Sequence, residues 1–235
     1  MNETLRGHDE VGEFLRDLGA RDHGPIVILA PHPDDEVFAL GGFMSLAAAA
    51  GFALEVVSVT DGEASHKNST RISPATLRDV RESETRAAYA ELAIAPVRTA
   101  LHLPDGGVGA ATEPLRGGLR GALLKAAVCI APLEFDGHPD HDATGALALE
   151  LCAELPVPLA MYAVWSRFSV CERTASGFAL ELALDARTVE LKRRAMNRYQ
   201  SQLQAIGPCP EDGPVLFEGF LAPFSEPREA LWKRA

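Results

Sequence analysis

Five short apolar runs recur along this chain, each separated from the next by a stretch with helical periodicity. The runs are 26–31 (IVILAP), 53–60 (ALEVVSVT), 97–103 (VRTALHL), 127–133 (AVCIAPL) and 159–168 (LAMYAVWSRF). Near-continuous apolar runs suit parallel strands buried on both faces, rather than half-exposed hairpin strands. The intervening helices are expected at 36–50, ending at Gly51, and at 75–93, 112–126 and 141–154. The last of these is apolar nearly all round and is expected to be buried. An amphipathic helix at 1–22 carries Val11, Phe14, Leu15 and Leu18 on one side, while 178–184 reads as a sixth strand and 186–203 as a final helix. Strands alternating with helices imply an α/β, Rossmann-like three-layer fold with a mostly parallel sheet. No composition break marks a second domain, so 1–235 reads as one domain. In open α/β sheets, sites lie outside the carboxyl ends of the strands. The loops after Ala30, Thr60, Leu103 and Leu133 are therefore where chemistry is expected.

Composition narrows the partners. The net charge is −11 with a pI near 5.1, a poor match to nucleic acid or an anionic membrane surface. Mean hydropathy is +0.01, and no apolar run approaches the roughly 18 residues of a membrane helix, so no stable membrane insertion is expected. The polar, acidic start MNETLRGHDEVGEFLRDLG lacks the apolar core of a signal peptide. The four cysteines, Cys129, Cys152, Cys171 and Cys209, form no CxxC, which argues against a zinc ribbon or a disulfide framework. A reducing, cytoplasmic compartment is expected.

The strand-end loops carry an unusual constellation. The first has His32-Pro33-Asp34-Asp35-Glu36, the second Asp61-Gly62-Glu63, and the fourth Asp136-Gly137-His138-Pro139-Asp140-His141-Asp142. Proline after each histidine holds it extended at the strand end. Each triplet then opens a helix, with Asp34 or Asp35, and Asp140, as natural N-caps. With cysteine excluded, imidazole and carboxylate remain as ligands for a metal such as zinc, and a dication would relieve the repulsion among crowded carboxylates. Capping accounts for a lone aspartate, but not for His-Pro-Asp twice, each time after a buried strand. His8, His23, His66 and His102 read as polar surface or satisfied partners, and Lys192-Arg193-Arg194 as a solvated helix face. Gly106, Gly107 and Gly109 do not complete a dinucleotide fingerprint, so a flavodoxin-like nucleotide module lacks a phosphate loop. The absence of GxSxG leaves a nucleophile-elbow serine hydrolase unsupported.

The segment Ala30–Glu36 together with His138-Pro139-Asp140-His141 resembles the PIG-L/LmbE-like zinc-dependent N-deacetylases, which include N-acetylglucosaminyl-inositol, chitooligosaccharide and glycopeptide-antibiotic deacetylases. Secondary matches are Thr60 through Ala64, Arg81 with Glu84, Leu103 through Gly107, and Tyr199-Gln200-Ser201-Gln202. The likeness spans about 25–205. It leaves 1–22 as an added helix and 207–235 as a C-terminal extension to a single catalytic domain.

The resemblance implies roles. His32, Asp35 and His141 would hold one Zn2+ per chain, another divalent metal being compatible with the same donors. Asp34 would be the general base toward the zinc-bound water, His138 would stabilise the oxyanion or protonate the amine, Asp140 would orient His138, and Arg81 would contact substrate. A histidine paired with Asp140 is expected to favour its imidazolium. The implied activity is a metal-dependent amide hydrolase that removes an N-acetyl or N-acyl group from an N-acetylglucosamine-type, small-molecule amino-sugar conjugate. The alternatives are an amidase of the same family acting on a thiol-conjugate amide, and a non-catalytic metal-binding protein. The resemblance also admits a homo-oligomer, although no interface signal is visible in the sequence.

Overall fold

In the computed structural model, residues 3–168 and 179–234 are described. The elements run α1 (Glu3–Leu18), β1 (Ile26–Ala30), α2 (Asp35–Ala49), β2 (Leu54–Thr60), α3 (Pro74–Glu91), β3 (Val97–Leu103), α4 (Thr112–Leu123), β4 (Val128–Pro132) and α5 (Pro139–Glu154). They continue with β5 (Leu159–Tyr162), β6 (Ala179–Ala183), α6 (Ala186–Met196), α7 (Gln200–Leu203) and β7 (Arg228–Arg234). The strands form one seven-stranded sheet in the order β3-β2-β1-β4-β5-β7-β6, with only β7 running antiparallel to its neighbours.

Each central strand sends alternate residues to opposite cores, and so it reads as a continuous apolar run. Ile26, Ile28 and Ala30 join the core beneath α1, α2 and α6, while Val27 and Leu29 join the core beneath α4 and α5. Helices on both faces give the three-layer α/β architecture. β2 and β3 grow to one side of β1 and β4 and β5 to the other, so β1 and β4 flank the point where the strand order reverses. The two His-Pro-Asp loops leave these two strands.

Four expectations are revised. The strand expected at 159–168 ends at Tyr162 because the next backbone N–H groups turn to a side chain: Val164, Trp165 and Ser166 all donate to Asp136. The helix expected through 203 breaks near Tyr199 (φ −81°, ψ 58°), whose buried ring packs edge-on against Phe38. The helix buried almost all round is α2 rather than α5, because α1 and α6 cover its outer side. The extension is part of the sheet: β7 inserts between β5 and β6. Part of the sixth predicted strand, at 178, lies outside the described residues, as does Cys171.

The insertion depends on a buried ion pair. Glu229 of β7 meets Lys192 Nζ at 2.7 Å and accepts the backbone N–H groups of Gly42 and Phe43 at 2.8 and 2.7 Å. A Cβ at Gly42 would lie 2.6 Å from the Leu184 methyl groups and 3.1 Å from Glu229 Oε1, so a larger residue there would displace these side chains. Lys192 is therefore not on a solvated face; its neighbours Arg193 and Arg194 are exposed.

Candidate metal centre and hydrolytic site

The Pro after His138 has the expected effect. His138 is extended (φ −119°, ψ 130°) and caps α5 itself, its Nδ1 accepting the N–H of Asp140 at 3.2 Å. Asp140 is thus not the cap. At the other loop Asp34 precedes α2 at φ 139°, a region L residues rarely adopt, with no side-chain capping bond. Its carboxylate turns instead to Arg81 Nη2 at 2.8 Å.

The structure brings three donor atoms together from residues far apart in the chain. His32 Nδ1 and Asp35 Oδ2 are 3.3 Å apart, Asp35 Oδ2 and His141 Nε2 3.1 Å, and His141 Nε2 and His32 Nδ1 3.3 Å. A tetrahedral metal with bonds of about 2.0–2.1 Å needs donor–donor edges of about 3.3 Å. The three residues fit such an ion. His138 offers a further ring nitrogen within 4.8 Å of those of His32 and His141.

Carboxylates fix the far side of each imidazole. His141 Nδ1 donates to Asp136 Oδ2 at 2.8 Å, which leaves the Nε2 lone pair for a metal. His32 Nε2 sits 3.2 Å from Asp140 Oδ2 and 3.3 Å from Asp105 Oδ1, which leaves Nδ1 free in the same way. Asp140 also accepts the N–H groups of Gly106 and Val108 at 2.7 and 3.1 Å. Its carboxylate thus holds His32 and the 105–108 turn, and meets His138 only through its own backbone N–H.

The charges are strongly coupled to burial. Burial disfavours charge on Asp35, but the imidazoles of His141 and His32 outweigh it and hold the carboxyl well below its usual range. Burial likewise opposes the His141 imidazolium, yet Asp35 and Asp136 hold its pKa up at about 9. Burial pushes Asp34 up to about 8 despite the Arg81 guanidinium. His138 is pushed down by burial, with His32 and His141 adding to the effect. Its imidazolium is disfavoured, contrary to the expectation from Asp140. With Nδ1 accepting, the neutral ring carries its proton on Nε2.

Arg81 is buried and committed: besides Asp34 it donates to the carbonyls of Pro33 at 2.6 Å and Gly62 at 3.2 Å. Gly62 has φ 66°, and a Cβ there would lie 1.9 Å from Arg81 Nη1, so this turn requires glycine. Arg81 also lines the cleft, together with His32, Asp34, Asp35 and His138.

A scan against family models matches residues 27–152 to the PIG-L family, described as GlcNAc-PI de-N-acetylase. The chain belongs to the PIG-L family. That membership supports N-deacetylase activity. No curated protein matches this chain. Among solved structures, the conserved protein TT1542 from Thermus thermophilus is 26% identical at a TM-score of 0.57, over 77% of this chain and 80% of that one. The N,N'-diacetylchitobiose deacetylase from Pyrococcus horikoshii is 24% identical at 0.62, over 83% and 79%. A zinc-inhibited form of teicoplanin deacetylase Orf2 is 19% identical at 0.66, over 89% and 97%. The last two likenesses show a shared fold.

In this PIG-L chain the cleft, about 420 Å3 in volume, draws on residues that sequence reasoning left without a role. Asp105 holds His32 and accepts the N–H of Ala64 at 2.9 Å, while its own N–H donates to Glu63 at 3.0 Å. Asp136 joins His141 to the 164–166 turn, which stacks Trp165 on His138 with centroids 5.9 Å apart. Asp136 is visible in the sequence only as an acidic residue at a strand end, and Asp105 only within the Leu103 through Gly107 match to the family, without a role of its own. The tail supplies Val215, Leu216 and Phe220 to the wall, beside Gln202. Not every strand-end carboxylate converges: Asp61 pairs with exposed His102, and Glu36 accepts from Tyr89 Oη at 2.7 Å. His66 is buried rather than on the surface.

Proposed function

We propose that this chain is a zinc-dependent hydrolase that removes an N-acetyl or N-acyl group from a small-molecule amino-sugar conjugate, and that it works as one catalytic unit in the cytoplasm. The observation that carries the reading is the triangle of His32 Nδ1, Asp35 Oδ2 and His141 Nε2, with edges of 3.1–3.3 Å, beside the Asp34 carboxylate. These three side chains would hold the metal, whose chemistry is to acidify water and polarise an acyl oxygen. The membership of the chain in a de-N-acetylase family supports an amide as the bond cleaved.

The side chains then divide the work. Asp34 takes the proton of the attacking water as its oxygen bonds to the acyl carbon. The same carboxyl then returns that proton to the amine as the C–N bond breaks. The products are a carboxylic acid and a free amino sugar. Arg81 fixes the position of Asp34 through a 2.8 Å ion pair, so its contribution to substrate is made beside that carboxylate. The Nε2–H of neutral His138 donates to the oxygen on which negative charge develops. Asp140 keeps His32 and the 105–108 turn in place. Imidazole and carboxylate accept several divalent metals, so zinc is the assignment that metal analysis must test.

The test is metal analysis of the purified chain, with acetate release from N-acetylglucosamine and its glycosides. We expect one zinc per chain and a fall of roughly a hundred- to ten-thousand-fold in kcat for Asp34→Ala with metal retained. Unchanged hydrolysis in that variant, or a chain that takes up no metal, overturns the reading.

A further inference from the structure

The loop between β2 and α3 supplies Ala64, Ser65 and Lys67 to the cleft. Between Gly62 and Arg71 its sequence is polar, and Ala64 is the one hydrophobic residue. The backbone closes in successive turns, Lys67 N–H donating to Ala64 at 3.1 Å and Ser69 N–H to His66 at 2.9 Å. Such turns set the shape of the loop but not its place, and a segment poor in buried apolar side chains opens locally at low free-energy cost.

Side chains from elsewhere fasten it. Near its start, Ala64 N–H donates to Asp105 Oδ2 at 2.9 Å and Gln202 Nε2 donates to Ser65 Oγ at 3.3 Å. Near its end, Ser69 Oγ donates to Asp212 Oδ1 at 2.6 Å, and Arg71 Nε meets Asp212 Oδ2 at 3.3 Å. Asp212 is 1% exposed and is itself fixed within the C-terminal tail. Its Oδ2 accepts Cys209 N–H at 3.3 Å, and its carbonyl accepts Ile206 N–H at 2.8 Å. The tail then returns to Gln202, whose carbonyl accepts Val215 and Leu216 N–H at 3.0 Å each. Gly207 passes so close that a Cβ there would lie 2.4 Å from Asp212 Oδ2. A short hydroxyl–carboxylate bond is about twice as strong as one between neutral groups, whereas the exposed Arg71 adds little.

We infer, on the proposed deacetylase reading, that Asp212 is a positioning residue: through Ser69 it holds the 64–67 wall of the cleft at the spacing the sugar requires. Asp212 lies outside the 27–152 stretch that the family model covers. Neither Ser69 nor Asp212 bonds to a metal donor, to Asp34 or to His138, so the effect falls on binding and not on the chemical step.

Two measurements test this role. The probes are N-acetylglucosamine and N,N'-diacetylchitobiose, titrated by calorimetry into the zinc-loaded full chain carrying Asp34→Asn, so that turnover does not interfere. Hydrogen exchange of the same protein, read by mass spectrometry, follows the amides of residues 64–71. Adding Asp212→Ala should weaken binding of at least one probe about tenfold. It should speed exchange at 64–71 by roughly ten- to a hundred-fold, the factor a hydrogen bond to a charged group carries. Exchange in β1 and β4 and the zinc content should not change. With Asp34 intact, Asp212→Ala should raise KM for acetate release and leave kcat within about twofold. Ser69→Ala breaks the same bond from the loop side and leaves the buried tail untouched, and Ser69→Thr, which keeps the hydroxyl, should retain binding. Binding of neither probe before these changes, binding unchanged in both alanine variants, or exchange at 64–71 that stays the same or rises equally throughout the chain overturns the inference. So does a fall in kcat at constant KM. Acetate release with Asp34 intact reports separately on the deacetylase reading. If neither probe is hydrolysed, that reading fails, while the binding ratios and exchange rates still decide the role of Asp212.

Discussion

Asp136 makes more connections than any residue singled out for catalysis. Its buried carboxylate accepts from His141 Nδ1, from the N–H groups of Val164, Trp165 and Ser166, and from Ser166 Oγ at 2.7 Å. It therefore sets both the tautomer of His141 and the position of the ring stacked on His138. Outer-shell carboxylates of this type typically account for ten- to a hundred-fold in metal affinity. Asp136→Ala should weaken zinc binding by that amount in a chelator competition, and its kcat should fall further than metal loading alone explains. At Gly62 the constraint is steric. Gly62→Ala places a Cβ 1.9 Å from Arg81 Nη1 at a positive φ, so Arg81 must move and release Asp34. Its kcat should fall at least tenfold while the zinc content is retained, since no metal donor touches Gly62. At this scale the amino-acid order is least informative. The histidine and aspartate types were visible, but Asp140 was assigned to His138, whereas its carboxylate holds His32. A side chain's partner depends on the loop it faces, here Leu103–Val108, and spacing within one motif does not contain that loop.

Among the elements, α2 and β7 show how a local pattern can hide a distant constraint. The middle of α2 donates two backbone N–H groups to Glu229, and Lys192 of α6 neutralises that carboxylate within the core. Removing one member of a buried pair leaves an uncompensated charge and costs about 3–5 kcal/mol. Glu229→Ala should therefore lower the melting temperature by on the order of 10 °C for a chain of this length, read by circular dichroism. Lys192→Met combined with Glu229→Leu should recover much of that loss. The elements themselves were largely legible, because strands buried on two faces and helices with caps leave periodic signatures in their own residues. Pro74 and Ser73 open α3, and the Ser73 side chain accepts the N–H of Thr76. The failures came where a tertiary partner overrode local preference. Asp136 ended β5 early, and β7 went unrecognised because an antiparallel strand of seven residues, REALWKR, carries mixed charges and no long apolar run.

For the whole molecule, the reversal of strand order between β1 and β4 makes the site possible. His32 and His141 lie 109 residues apart in sequence and meet because their strands are adjacent. The tail closes the cleft and completes the sheet. Deleting residues 205–235 should therefore leave a chain that neither melts cooperatively nor binds the probes, as measured by calorimetry. Among the described residues no helix is long and apolar enough to cross a membrane. The α/β class, the places where loops carry chemistry, and the residue types available to a metal were all set in the amino-acid order. Those properties follow from short-range periodicity, from the restriction proline puts on the residue before it, and from the chemistry of each side chain. It took the folded molecule to settle which carboxylate holds which imidazole, that Lys192 is buried, and that the C-terminal extension forms a wall of the cleft. Those outcomes depend on strand order and on burial of polar groups across long sequence separations, where each group takes the partner that the neighbouring element presents.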